Sequence, residues 1–125
     1  MRALTDKELE RMRRAAEEAM FDRCRILRYR AGARDAHGMP QATWAEGEEL
    51  PCGFRTLSAR EALDGAQVPL ADAELRLPWD AELSNLDRVR LSARHGEALA
   101  EGPLYEVVGL PVRGPSALVV RLRRV

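Results

Sequence analysis

Four side chains in this sequence are soft enough to hold a transition metal: Cys24, His37, Cys52 and His95. None stands at C-x-x-C or H-x-x-x-H spacing to another, so no local segment offers two ligands to one ion. Each histidine precedes a glycine, Gly38 or Gly96, which reads as turn chemistry. Nucleophilic catalysis has as little to start from. No serine occupies a nucleophile elbow, and neither cysteine has a base visible in the sequence. Glu46, Glu48 and Glu49 crowd around Gly47, the pattern of a solvated surface and not of an acid/base pair. The glycines are single turn glycines and build no phosphate loop. These residues call for no metal, no cofactor and no catalytic centre, and a non-enzymatic role is the expectation.

Composition narrows the remaining classes. At 125 residues the chain is expected to form one domain with a modest core. Charged residues make up 32% and sum to zero, so no global field draws it to nucleic acid or to a membrane surface. Lys7 is the only lysine; arginine supplies the other positive charges, and its planar fork suits ion pairs and interfaces. Two cysteines are too few for a secreted disulfide framework, and both sit in apolar, strand-like settings as small hydrophobes. The charged N-terminus lacks the apolar stretch of a signal peptide, and no apolar run is long enough to cross a bilayer. A soluble intracellular product is the expectation.

The elements that must position these residues begin with a helix from about Thr5 to Met20. Thr5 and Glu8 form a capping box, Leu4 and Leu9 have the spacing of a hydrophobic staple, and Asp6 opposes the helix dipole. Leu9, Met12, Ala15 or Ala16, Ala19 and Met20 make a thin, alanine-rich stripe suited to packing on a sheet or on a neighbouring subunit. From Phe21 the period becomes two. Cys24 and Ile26 point one way, Arg23, Arg25 and Leu27 the other, and Tyr29 closes this strand. Ala31 to Pro40 reads as a loop. Trp44 and Leu50 to Leu57 read as a second strand, which Pro51 and Gly53 demote to a bulged or edge strand.

Ser58 to Ala71 reads as a long excursion between strands. Beyond it, Leu75 and Leu77 alternate with Glu74 and Arg76 up to Pro78. Val89 and Leu91 alternate with Arg88 and Arg90 after the turn Ser84-Asn85-Leu86-Asp87. Leu104 to Val112 and Leu118 to Val125 make a hairpin around Arg113-Gly114-Pro115-Ser116. Residues 1–21 and 22–125 therefore belong to one unit. The fold class is mainly β: a small β-barrel of five to six antiparallel strands with an N-terminal α-helix. Of the six aromatic residues, only Tyr29 and Phe54 fall near a sheet face that could stack bases, and core filling is the reading preferred for both.

The order of features resembles the head-closure proteins (stopper, or head–tail joining proteins) of tailed bacteriophages and related gene-transfer particles. The resemblance rests on the basic strand CRILRYR and on Asp35 with Gly38, followed by Trp44 and Glu61. Leu75-Arg76-Leu77-Pro78, Asp87-Arg88-Val89 and Tyr105-Glu106-Val107-Val108-Gly109 complete it before the final hairpin. It covers residues 22–125. It implies a virion protein without catalysis or cofactors, standing as a homo-oligomeric ring, usually a dodecamer, at the head–tail neck after assembly in the host cytoplasm. Such a ring has a portal or adaptor protein above it, a tail protein below it, and packaged double-stranded DNA passing non-specifically through its lumen; no membrane is involved.

In that family a long loop gates the channel. Here the corresponding stretch would hold Ser58, Arg60, Glu61, Asp64, Gly65 and Gln67, dispensable for folding but needed to retain DNA. The helix lies outside the matched part. Leu9, Met12 and Arg13, with Arg23 and Arg25 of the first strand, are the expected ring or adaptor interface. The alternatives are another neck ring, such as a tail terminator or adaptor, and a nucleic-acid-binding β-barrel.

Overall fold

A computed structural model describes residues 4–57 and 71–125. The helix α1 spans Asp6–Glu18, with Thr5 as its N-cap. Thr5 Oγ1 accepts from the Glu8 backbone N–H at 3.1 Å and lies 3.1 Å from Glu8 Oε1. Among the described residues seven strands follow: β1 (Asp22–Arg34), β2 (Pro40–Thr56), β3 (Ala73–Pro78), β4 (Arg88–Arg94), β5 (Glu97–Ala98), β6 (Leu104–Arg113) and β7 (Ala117–Arg124). Every pairing is antiparallel, in the order β1-β2-β3-β7-β6-β4, and β4 pairs back to β1. The result is a closed six-stranded barrel, with the two-residue β5 appended to β4. Closure gives every strand of the wall a partner on each side over part of its length.

The core follows the alternation of the sequence. Leu75 and Leu77 of β3, Val89 and Leu91 of β4, and Leu118, Val120 and Leu122 of β7 point inward. Cys24 and Cys52 are fully buried beside them as free thiols. Gly102 lets the chain cross β4 closely, since a Cβ there would lie 1.6 Å from the Leu91 carbonyl oxygen.

Three expectations are corrected. Leu27, expected on the wet face with Arg23 and Arg25, is buried next to Ile26. It is not part of the core cluster, so its burial is additional to the alternation that fills the barrel. The loop expected from Ala31 to Pro40 is a turn of Asp35–Met39 only. The strand does not close at Tyr29; β1 runs to Arg34 and β2 begins at Pro40. Finally, of the bulged or edge strand expected, β2 is bulged, with Gly47 and Glu48 together opposite Ile26, but it is no edge strand over Gly53–Thr56, where it pairs β3. Pro51 is tolerated because β3 begins to pair only at Gly53, so no ladder bond to β3 is asked of it.

Pairing partners also show where the wall stops. β4 pairs β1 only along Arg23–Leu27. Beyond it, among the described residues, Arg28–Arg34 and Pro40–Ala45 pair only with each other, as a two-stranded ribbon extending past the barrel. At the same end, residues 79–87 cross the barrel mouth from β3 to β4. Ala81 is buried in the core cluster there, and Leu83 packs against it.

Candidate functional site

The barrel mouth is where irregular backbone, buried charge and the ribbon meet. A connection crossing a mouth has carbonyls with no ladder to join, and each needs another donor. Arginines supply them. Arg28 Nη1 donates to the Glu82 carbonyl at 2.6 Å. Arg113 donates to the Trp79 carbonyl and, through Nη2 at 2.7 Å, to that of Ala81.

Asp87 fastens the ribbon to this connection. Its carboxylate accepts from the backbone N–H of Tyr29 at 2.9 Å, from that of Ser84 at 3.0 Å, and from Arg28 Nη1 at 3.2 Å. Burial pushes the Asp87 carboxyl up, but these donors outweigh it and hold the group below its ordinary value. Trp44 Nε1 donates to the Leu86 carbonyl at 2.9 Å, Arg88 lies 3.7 Å over its ring, and Tyr29 meets it edge-on. At the ribbon's far end Asp35 Oδ1 accepts from His37 N and Met39 N, and Gly38 takes the positive φ that the turn requires.

A second buried carboxylate, Asp22, ties β1 to the opposite end. It accepts from Phe54 N and His95 N at 2.9 Å each. Between the ends, Glu49 takes an ion pair from Arg23 at 2.7 Å, one from Arg25 at 3.6 Å, and a hydrogen bond from Ser92. Arg23 foremost, with Ser92 and Arg25, holds the Glu49 carboxyl below its ordinary value. A bond from its own backbone N–H, with help from Arg28, does the same for Glu48. An open recess of about 420 Å³ lies beside the mouth, lined among others by Glu17, Arg28, Glu48, Asp80 and Glu82.

The structure scatters most of the residues singled out in the sequence. His37 and His95 occupy turns near opposite ends of β1. Among the described residues no group of three or more His, Cys, Asp or Glu side chains could share a metal. Cys24 and Cys52 do meet. Their mutual hydrogen bond, with burial, pushes the Cys52 thiol far up, away from the thiolate a nucleophile needs. Phe54 fills the core against Tyr105, as expected, but Tyr29 does not; it is half-exposed at the ribbon base. Of the expected interface residues, Arg23 and Arg25 are engaged with Glu49. Leu9 and Arg13 are half-buried and Met12 is exposed. Arg13 lies 3.6 Å over Trp79 and donates to the Pro115 carbonyl at 3.0 Å, which pins α1 to the β6–β7 turn. Ser58, Arg60, Glu61, Asp64, Gly65 and Gln67 lie outside the described residues.

The sequence reading missed Asp22, Arg28 and the anchoring role of Asp87. One signal was available: Ser84 and Asp87 stand three apart before a strand, the spacing of a reciprocal cap. Arg28 gave none, because its partners are 54 and 59 residues away.

The fold and the mouth define a small closed antiparallel barrel with a ribbon and a helix added outside its wall. No protein-family model matches the chain, and no curated protein does. The solution structure of protein SF1141 from Shigella flexneri 2a is similar to it. The TM-score is 0.63 at 20% identity, over 82% of this chain and 90% of that one. At that identity the likeness is one of fold.

Proposed function

We propose that this protein is a non-enzymatic structural subunit of a tailed-phage head–tail connector, standing as a ring that closes the DNA channel and offers a surface to the tail. One observation carries the reading. The barrel closes and fills its core without the two elements outside its wall: α1, which has no buried residue, and the β1–β2 ribbon. An amphipathic helix gains its stability from a face it buries, and this one buries little within its own chain. Exposed apolar side chains add to this outer surface. Leu110 and Val112, 78% and 66% exposed, stand on a β6 bulge where Gly109 takes a positive φ. Elements that a monomer does not need are what a ring of copies uses.

The non-enzymatic part of the proposal has its own support. The two buried carboxylates, Asp22 and Asp87, are committed to backbone donors, and the Cys52 thiol is held protonated. A single-strand-binding barrel would want several exposed aromatics on one sheet face, whereas Phe54 faces the core and Trp44 is covered by Arg88. Of the exposed aromatics only Tyr29 stands on a strand, Phe21 and Trp79 lying outside the strands.

Mass measurement and negative-stain imaging of the purified protein, alone and with the portal–adaptor complex, test the proposal. Rings with a central hole, and antibody labelling confined to the particle neck, are the expected result. A strictly monomeric protein that never labels the neck overturns it.

A further inference from the structure

We propose that the β1–β2 ribbon is a contact element for duplex DNA, gripping the phosphate backbone with Arg30 and Arg34. The inference rests on the connector reading for the presence of duplex DNA beside the protein, and on the ribbon itself for the contact.

The charge of the ribbon stands apart from that of the chain. Residues 28–45 hold three arginines, His37 and one acid, Asp35, for a net +2 in a chain whose total is zero. Elsewhere several arginines of the barrel wall are matched: Arg23 and Arg25 with Glu49, Arg121 with Glu74, Arg123 with Glu106. On the ribbon, Arg28 is bound to Glu48 and Asp87, but Arg30 and Arg34 are exposed and form no ion pair among the described residues. Arg34 Nη1 donates to the Gly38 carbonyl at 2.7 Å, a neutral partner that leaves its charge uncompensated. The Oδ1 atom of Asp35 is occupied by two backbone N–H groups of the turn. A polyanion is the occupant this charge fits.

The geometry favours a duplex over a single strand. The register shift between Ala31 and Arg34 turns the later residues over. Arg30 therefore pairs with Thr43 on one face and Arg34 with Pro40 on the other. Arginines on both faces of a two-stranded ribbon suit a groove with a phosphate wall on either side, and the major groove of B-DNA admits such a ribbon. The small residues between them, Ala31, Gly32 and Ala42, keep the ribbon thin. The aromatic pair at its base offers no stacking platform, since the Trp44 face is covered by Arg88 and its edge is held by Leu86. Anchored by Asp87 at the base and by the Asp35 turn at the tip, the ribbon presents its arginines without first having to fold.

The test uses the full chain and a fluorescein-labelled duplex of mixed sequence, with its single strand as competitor, titrated over a range of salt. Wild type is expected to bind the duplex at low salt. The slope of log K against log salt should fall by roughly 2 in the Arg30→Ala/Arg34→Ala variant, about one unit for each phosphate that is no longer neutralised. The Arg30→Lys/Arg34→Lys variant should keep most of the slope. Arg11→Ala/Arg14→Ala, on the helix, should leave it unchanged. Absence of duplex binding at low salt overturns the inference. So does an unaltered slope in the ribbon variant, or tighter binding of the single strand. Mass measurement of the same samples separates the two readings. Rings that form without ribbon-dependent binding sink this inference alone. Monomers that bind through the ribbon leave the contact standing and remove the ring.

Discussion

The backbone N–H of Tyr29 donates to Asp87 Oδ1 at 2.9 Å, across 58 positions of sequence, at the point where β1 leaves the barrel wall and becomes a free ribbon. The same carboxylate holds the connection that crosses the barrel mouth through Ser84, and it neutralises Arg28. One buried side chain therefore sets both the lid over the core and the angle at which the ribbon departs.

Removing that carboxylate leaves the backbone donors of Tyr29 and Ser84 without their acceptor, while Arg28 keeps the Glu82 carbonyl and Glu48. Asp87→Ala is expected to cost about 2–4 kcal/mol, a fall in melting temperature on the order of 10 °C. Asp87→Asn retains an acceptor oxygen but loses the charge opposite Arg28, and should cost less. Thermal unfolding followed by circular dichroism gives the comparison. If Asp87→Ala melts with wild type, Asp87 does not anchor the mouth.

The same group predicts an acid limit. Its carboxyl lies below the ordinary value of 3.8 in the folded protein, so the folded state binds the proton less readily than the unfolded chain. The stability it contributes is fully present above that ordinary value and is lost as pH falls through the lower, folded value. Glu48 and Glu49, also held low, act in the same direction, though their exposure weakens the effect. Urea midpoints should be flat from neutrality to about pH 5 and decline below pH 4. The Asp87→Asn variant should decline less steeply, and a parallel decline in the two proteins would exclude Asp87 as the source.

Chemical reactivity tests the cysteine pair. Cys24 and Cys52 are fully buried and hydrogen-bonded to each other, so the thiolate of Cys52 is strongly disfavoured. The native protein should resist an aromatic disulfide reagent at neutral pH. In denaturant, the same reagent should titrate both of its thiols. Rapid modification in the native state would mean that the wall opens between β1 and β2.

The helix, the alternations and the last hairpin were legible in the sequence because each rests on neighbours a few positions apart. Thr5 sees Glu8, Leu75 sees Leu77, and Gly114-Pro115 lies between two apolar runs. The ribbon was not legible, because Ala31, Gly32 and Ala42 have the composition of a loop. Only the approach of Gly32 to Gln41, where a Cβ would lie 2.1 Å from the backbone oxygen, shows why a glycine stands there. Leu27 was misplaced because it is buried outside the core cluster, and alternation reports only which residues face the core. The mouth was hidden for a different reason. Arg28 and Arg113 satisfy carbonyls on a connection 30 to 60 residues away, and no spacing rule reaches that far. At the expected interface, Arg23 and Arg25 read as a wet basic stripe, while their shared partner Glu49 lay within a run taken for solvated surface.

Gly102 offers the sharpest steric test of the barrel wall. It is buried, and a Cβ at this position would lie 1.6 Å from the Leu91 carbonyl oxygen and 2.8 Å from the Leu91 carbonyl carbon. Those are backbone atoms of a strand paired into the sheet, so they cannot swing aside as a side chain could. The adjacent Pro103 carbonyl accepts from Leu91 N at 3.0 Å, and Arg90 Nη1 reaches the Gly102 carbonyl at 2.9 Å. Displacing Gly102 would pull on both bonds. Gly102→Ala should therefore destabilise by about 3 kcal/mol or more, at the upper end for a single substitution. Gly96→Ala provides the contrast. Nothing lies within 4 Å of its added Cβ, and the cost there is the positive φ alone, about 1 kcal/mol. Equal melting temperatures for the two variants would show that β4 and the 102–103 segment are not packed as described.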